Sequence, residues 1–508
     1  MTIAACVIAI PTAGASATGS LRLASQSAYV NAPGTFSIAV NVTSALPMSA
    51  LGLEFSLYSH LSTRQAFALS TTNAEFPSQS CLDQTSVLPL PSLVGGATGV
   101  AVRTTFAVQG IATQPSCATA TNAFSLEGCA SGSCDGVYPL AVALIERSTG
   151  RVIRSFTTHV VVATRRQASK DLQVGLVIPL GGTPSFGPDG SPALGRSLPR
   201  LTEVVRALRA SRSRLSVSLS PDLLLALKGT SGTAALTSSI DALVSHGRPG
   251  ARVEILTTPY ADVDASALVA SGLGADAKTA VATGRSALAA HFGQPLAPAP
   301  YVSSTPMTSA GLAALQGACL NEFVLPQRSI LASFRLTPTA PLLVGKPALC
   351  GTSLKPPVAF VADASLSAEI SAKTNDPVLA GENVLADLAQ VYFEGPFDPD
   401  PRAVVVVGSP SLNPRVLEVV LAGLGSNPIL QTSQLTNLFT TVPPGSNQNL
   451  TVGQLGGSLS GDAPSVGHVR SAKATLSAVK ATMPNNKGLI RGLNDSILTA
   501  ESARMSAS

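Results

Sequence analysis

Trp is absent from this 508-residue chain and aromatic residues are only 4% of it. Its cores must therefore be built from Ala, Val, Leu and Ile rather than from ring stacking. Charge is scarce as well, at 12% charged residues and a net charge of +5. No Lys/Arg cluster is interleaved with aromatics, so nucleic acid is not an expected partner. Histidine is limited to His60, His159, His246, His291 and His468. None falls in HxxxH or HExxH spacing, so no metal is expected and a zinc hydrolase has no support. No GxGxxG or GxxxxGKS/T follows a strand-like run, which disfavours nucleotides, and no cofactor is expected. The GxSxG elbow of serine hydrolases is missing too.

Long apolar runs are also missing. The candidate nearest a membrane span is residues 2–17, TIAACVIAIPTAGASA, which falls short of the roughly 20 residues of a spanning helix. It is apolar and uncharged, and Ala15-Ser16-Ala17 has the small-x-small form of a signal peptidase site. A basic segment before it is lacking. Residues 1–20 are read as a signal peptide or N-terminal anchor. Export to the cell envelope or the extracellular space is expected. Membrane contact would come only through an uncleaved N-terminus or a missing C-terminal span.

What is present is apolar and patterned. Hydrophobic residues are 45%, which argues against disorder in the body of the chain. Beyond Cys6 the cysteines are Cys81, Cys117, Cys129, Cys134, Cys319 and Cys350. An even set without paired CxxC units or nearby His argues for disulfides over zinc. Cys129–Cys134, Cys81–Cys117 and Cys319–Cys350 are the simplest pairing among several allowed.

Residues 21–164 read as all-β. SLRLASQSAYV, GTFSIAVNVTSA and LGLEFSLYSHL alternate apolar and polar residues at period two, and Asn31-Ala32-Pro33-Gly34 marks a turn. Thr149-Gly150 suggests a hairpin between the last two strands. About seven short strands over this length suit an immunoglobulin-like β-sandwich. Arg165 to Lys170 is a polar linker. Residues 171–442 then alternate buried strand-like runs with helical patterns, roughly seven or eight units in all. Such alternation means a parallel sheet covered by helices, here favouring a closed, barrel-like domain over an open sheet. Residues 443–467 read as a linker and 468–508 as a short helical tail.

In β/α barrels the site lies at the C-terminal strand ends. That rule marks Asp222, Tyr260, Asp262, Asp264, Glu322 and Asp363 as binding or acid/base candidates. Glu322 is the weakest, since it begins its strand. The densest set lies in RVEILTTPYADVD, residues 252–264. If that loop is extended, Asp262 and Asp264 project to the same side about 7 Å apart, a spacing suited to paired carboxylates acting on a sugar. Helix capping competes for them: Asp264 precedes a helical pattern, and Asp222 and Asp363 are similarly placed.

FSIAVNVTSALPMSALGLEFSLYSHLSTR, CDGVYPLAVAL, VIRSFTTHVVV, LSVSLSPDLLLAL and TTPYADVDASALVASGL together resemble a family of actinobacterial cell-envelope proteins. The resemblance spans about residues 20–500. It implies an exported, membrane-anchored protein whose gene often neighbours that of the lipid II flippase, and it carries no assigned activity. Family members usually continue into a C-terminal membrane span, whereas this sequence stops at Ser508, as a truncated or short released form would. The barrel region also looks distantly like the barrels of polysaccharide deacetylases and some glycoside hydrolases, without the deacetylase His pair. The expected function is binding of cell-wall glycan or an envelope protein partner without catalysis. The alternatives are a glycan-processing hydrolase using Asp pairs at the barrel loops, or a purely structural surface protein.

Overall fold

The computed structural model describes residues 19–72, 80–93, 101–111, 118–120, 123–127, 134–163, 170–181, 194, 197–244, 252–293, 299–334, 336–350, 352–425, 427–445, 452–456 and 466–501. Residues 1–18 of the candidate signal segment, and Cys117 and Cys129, lie outside these residues. The chain divides into two compact units, Met1–Thr164 and Arg165–Ser508. Among the described residues no helix is long and apolar enough to cross a membrane.

The first unit is β-rich. One sheet joins Gly19–Gln26, Gly34–Ser44, Ala101–Ile111 and Ala123–Glu127. The other carries Arg151–Val162, Gly136–Glu146, Leu51–Tyr58, Cys81–Thr85 and Ala118–Ala120 in that order. Period-two alternation puts Phe55 of one sheet and Phe106 of the other inward, where their rings meet edge to face at 5.1 Å. The expected hairpin turns at Gly150, whose φ of 70° suits glycine. A helix, Arg64–Thr72, was not expected from the pattern. It buries Phe67 against the His159 ring at 4.5 Å. Cys81 and Cys134 are each disulfide-bonded.

The second unit is an α/β barrel-like domain, and its elements are numbered here within the unit. The parallel strands are β1 (Leu172–Leu180), β2 (Leu215–Leu219), β3 (Val253–Ile255), β4 (Tyr301–Val302), β5 (Glu322–Pro326), β6 (Val358–Ala362), β7 (Ala403–Val407) and β8 (Leu430–Ser433). The helices are α1 (Leu198–Ala210), α2 (Pro221–Gly229), α3 (Ala234–Val244), α4 (Ala265–Ala270), α5 (Gly274–Phe292) and α6 (Ser309–Gln316). They continue with α7 (Ala364–Ile370), α8 (Pro377–Phe393), α9 (Pro414–Leu424), α10 (Leu435–Thr441), α11 (Val466–Thr482) and α12 (Lys487–Ala500).

The sheet order is β3-β2-β1-β7-β6-β5-β4, with β8 on the first half of β1. Strands 1 to 7 thus follow one another around the barrel, but no pairing joins β3 to β4 among the described residues. The expectation of a closed barrel is corrected to this extent. These two strands are three and two residues long, too short to build a ladder across the seam.

Alternate residues of each strand serve two cores, as period two requires. Val324 of β5 and Phe360 of β6 join Val177, Ala403 and Val405 in the barrel interior. Phe323, Leu325, Ala359 and Val361 face an outer core with α4, α5 and α6. The interior also holds Leu435 and Leu438 of α10. This helix closes onto β1 because position 175 is glycine: a Cβ there would stand 2.6 Å from a Leu438 methyl.

Val452–Gly453 pairs with Leu342–Val344. Val469 and Leu476 of α11 and Ile497 and Leu498 of α12 belong to the outer core. Lys473 of α11 bridges Asp276 of α5 and the buried Glu501, 2.9 Å from the latter. Cys319 and Cys350 form a disulfide across 31 residues of chain, with Cα atoms 5.2 Å apart.

Candidate functional site

The C-terminal ends of β1, β2 and β7 open on a cavity of about 80 Å³, shared with the chain just beyond β3 and β4. Its apolar floor is Val177, Pro179, Val302 and Val407, and its polar groups are Ser218, Ser220, Thr258, Asp262 and Ser304. Both edges of the open seam therefore contribute to one cavity.

The loop after β3 presents Asp262 there because its backbone is held from behind. Tyr260 N–H donates to Ala280 O of α5 at 2.8 Å, and Tyr260 O accepts from Asp222 N–H of α2 at 3.3 Å. Gly284 of α5 lies so close that a Cβ would stand 2.3 Å from Thr258 O; only glycine admits this approach. The Thr258 hydroxyl donates to Leu219 O at 2.7 Å, tying the loop to the end of β2.

Asp262 reaches across the seam. Its Oδ2 accepts from Ser304 Oγ, just past β4, at 3.0 Å. A second stitch lies beside it, where Ser266 Oγ of α4 accepts from Thr308 N–H at 2.9 Å. Ser220, at the end of β2, is 7% exposed and its Oγ has no hydrogen-bond partner. It precedes α2 without capping it. It lines the cavity, where a hydroxyl can both donate and accept.

The remaining candidates separate. Asp264 does not share a side with Asp262: its Oδ1 accepts from Ala267 N–H at 2.9 Å and caps α4. Asp363 caps α7 in the same way through Leu366 N–H, also at 2.9 Å. The orphan amides of a first helical turn claim both carboxylates, which corrects the paired-carboxylate reading of the loop. Glu322 begins β5 and so lies at the opposite, N-terminal end of the barrel, which corrects its placement among the mouth residues. Burial raises its pKa, and Glu254 adds to this while Lys355 opposes it. Tyr260 turns away from the mouth. Its hydroxyl donates to Asp495 of α12, and burial with the nearby Asp495 and Asp222 carboxylates pushes its pKa up. Asp222 is buried at the start of α2, and its Oδ1 has no hydrogen-bond partner.

Ser304, Ser220 and Tyr301 were missed by sequence reasoning. A rule that marks acids at strand ends passes over hydroxyls, although Ser304 follows β4 as Asp262 follows β3. Tyr301 of β4 is buried, and its pKa is raised by burial and by the neighbouring Asp262 and Asp264 carboxylates. Among the described residues no group of three or more His, Cys, Asp or Glu is placed to hold a metal ion.

No protein-family model and no curated sequence matches the chain. Solved structures similar to it include an α-amylase from Thermotoga maritima, at 9% identity and a TM-score of 0.46, covering 65% of this chain and 87% of that one. A GH57 branching enzyme from Thermococcus kodakaraensis matches at 10% identity and a TM-score of 0.44, covering 65% and 84%. An exo-type maltose-forming amylase from Pyrococcus sp. ST04 matches at 14% identity and a TM-score of 0.39, covering 56% and 52%. These are structures of amylases and a branching enzyme, where the expectation was a glycan- or partner-binding protein without catalysis.

Proposed function

We propose that the second unit is a glycan-processing hydrolase working at the mouth of its barrel, with Asp262 as an acid/base carboxylate. The observation that carries this is the Asp262 side chain in a hydroxyl-lined cavity at the strand ends, bonded by Ser304 Oγ. Serine and threonine hydroxyls both donate and accept, which suits the hydroxyls of a sugar. Glycoside hydrolysis uses two carboxyls. Asp222 is the second in this reading, supported by its buried Oδ1 lacking a partner and by its backbone bond to the Tyr260 carbonyl. The first unit, with its two packed sheets, is read as an immunoglobulin-like sandwich. The disulfides favour an oxidising compartment, so the reading extends to an exported protein whose substrate is cell-wall glycan.

The test is reducing-end release from purified cell-wall glycan and from soluble starch. The wild-type chain releases ends from at least one polymer. Asp262→Asn lowers the rate by about 100-fold or more, as loss of general acid/base catalysis does, and Asp222→Asn lowers it comparably. No release from either polymer, or release unchanged in Asp262→Asn, overturns the proposal.

A further inference from the structure

The loop that carries Asp262 borders two cavities. Asp262 lines the one at the barrel mouth, while Tyr260 lines a separate and larger one of about 450 Å³ between α2, α5 and α12. That volume falls within the range of sites for small molecules, roughly 300–1,000 Å³.

Its wall is apolar on two sides, formed by Leu224 and Leu225 of α2 and by Ala287 and Ala290 of α5. Leu225 is 42% exposed, a large aliphatic side chain left facing the cleft. Two cations stand at its edge, Lys228 at the end of α2 and Arg491 of α12. Both are exposed, and neither is in an ion pair among the described residues. His291 also reaches the cavity, but its Nε2 is 2.8 Å from Asp241 and so is already engaged.

The single carboxylate in the wall is Asp495. It accepts from the Tyr260 hydroxyl and from Asn494, and burial raises its pKa while Arg491 opposes the shift. The negative group is thus satisfied within the protein, whereas the two positive groups face the cleft. The lining combines an apolar wall with two cations against one carboxylate, which is the complement of an anion attached to an apolar body.

We propose that this cavity binds a small organic anion, its acidic group held by Lys228 and Arg491 and its apolar part seated on the leucines of α2 and the alanines of α5. The proposal is independent of the reaction at the barrel mouth, because no cavity residue named here lines that mouth.

The probe is anilinonaphthalene sulfonate, an apolar aryl body with one fixed negative charge, followed by fluorescence on the full chain. One saturable site is expected, with decanoate displacing the probe and decanol failing to do so. The double variant Lys228→Ala/Arg491→Ala, altered only at exposed side chains, weakens the probe's Kd at least tenfold. Ala287→Trp, which fills the cleft, does the same if circular dichroism shows it folded. Asp262→Asn binds as wild type does. Equal affinity in the double variant, displacement by decanol as effective as by decanoate, or loss of binding in Asp262→Asn overturns the proposal.

Discussion

Asp262 Oδ2 accepts a hydrogen bond from Ser304 Oγ at 3.0 Å across 42 residues of chain. The two residues follow β3 and β4, between which no pairing is found among the described residues. The bond therefore does at the barrel mouth what a strand ladder does elsewhere: it fixes the two edges relative to each other. It also sets the direction of the carboxylate on which the proposed reaction depends.

Ser304→Ala removes that bond and leaves Asp262 in place. A hydrogen bond to a charged group is worth roughly 1.5–3 kcal/mol, so hydrolysis is expected to fall about 10- to 100-fold. Steady-state rates measured beside Asp262→Asn check this, with the Ser304 variant retaining the greater activity.

Asp264→Ala and Asp363→Ala each remove an N-cap. Each is expected to lower stability by about 1 kcal/mol, read from urea unfolding. Their hydrolytic rates are expected to stay near wild type, since each carboxylate is taken up by an amide of its own helix. A rate loss as large as that of Asp262→Asn would contradict the capping assignment.

Leu438→Ala removes part of the side chain by which α10 fills the barrel interior behind Gly175. A buried leucine truncated to alanine costs roughly 2–5 kcal/mol. The urea midpoint is expected to drop accordingly with an unchanged slope.

Glu322 is a partly buried carboxyl whose pKa lies above its usual 4.5, raised first by burial, opposed by Lys355 and raised further by Glu254. The folded state then binds its proton more tightly than the unfolded state does. The stability this contributes is present below pH 4.5 and is lost as pH rises through the folded value. Glu322→Gln removes the cost of burying the charge. Its melting temperature is expected to exceed that of wild type at neutral pH, with the difference vanishing below pH 4.5.

Much of this arrangement is legible in the amino-acid sequence because it depends on neighbours a few residues apart. Among the buried strand-like runs of residues 171–442, LQVGLVIPL and RAVVVVGS are β1 and β7. Asp264 stands before a helical pattern, and it caps α4. The rule that a barrel's site lies at its strand ends marked Asp262 as one of six residues. Short segments such as α10 carry too few residues for periodicity to say what they pack against, and α10 sends Leu435 and Leu438 into the barrel interior.

Local pattern determined the alternating strands and helices, the change from period-two strands to buried ones, and the caps, because each of these is an interaction within one or two turns of chain. Three-dimensional packing determined the rest. It left the seam between β3 and β4 unladdered, brought Ser304 to Asp262, and turned Tyr260 towards α12 while Asp262 faced the mouth. These outcomes rest on contacts between groups tens to hundreds of residues apart, whose pairing is set by which surfaces bury together and which no nearby residue encodes.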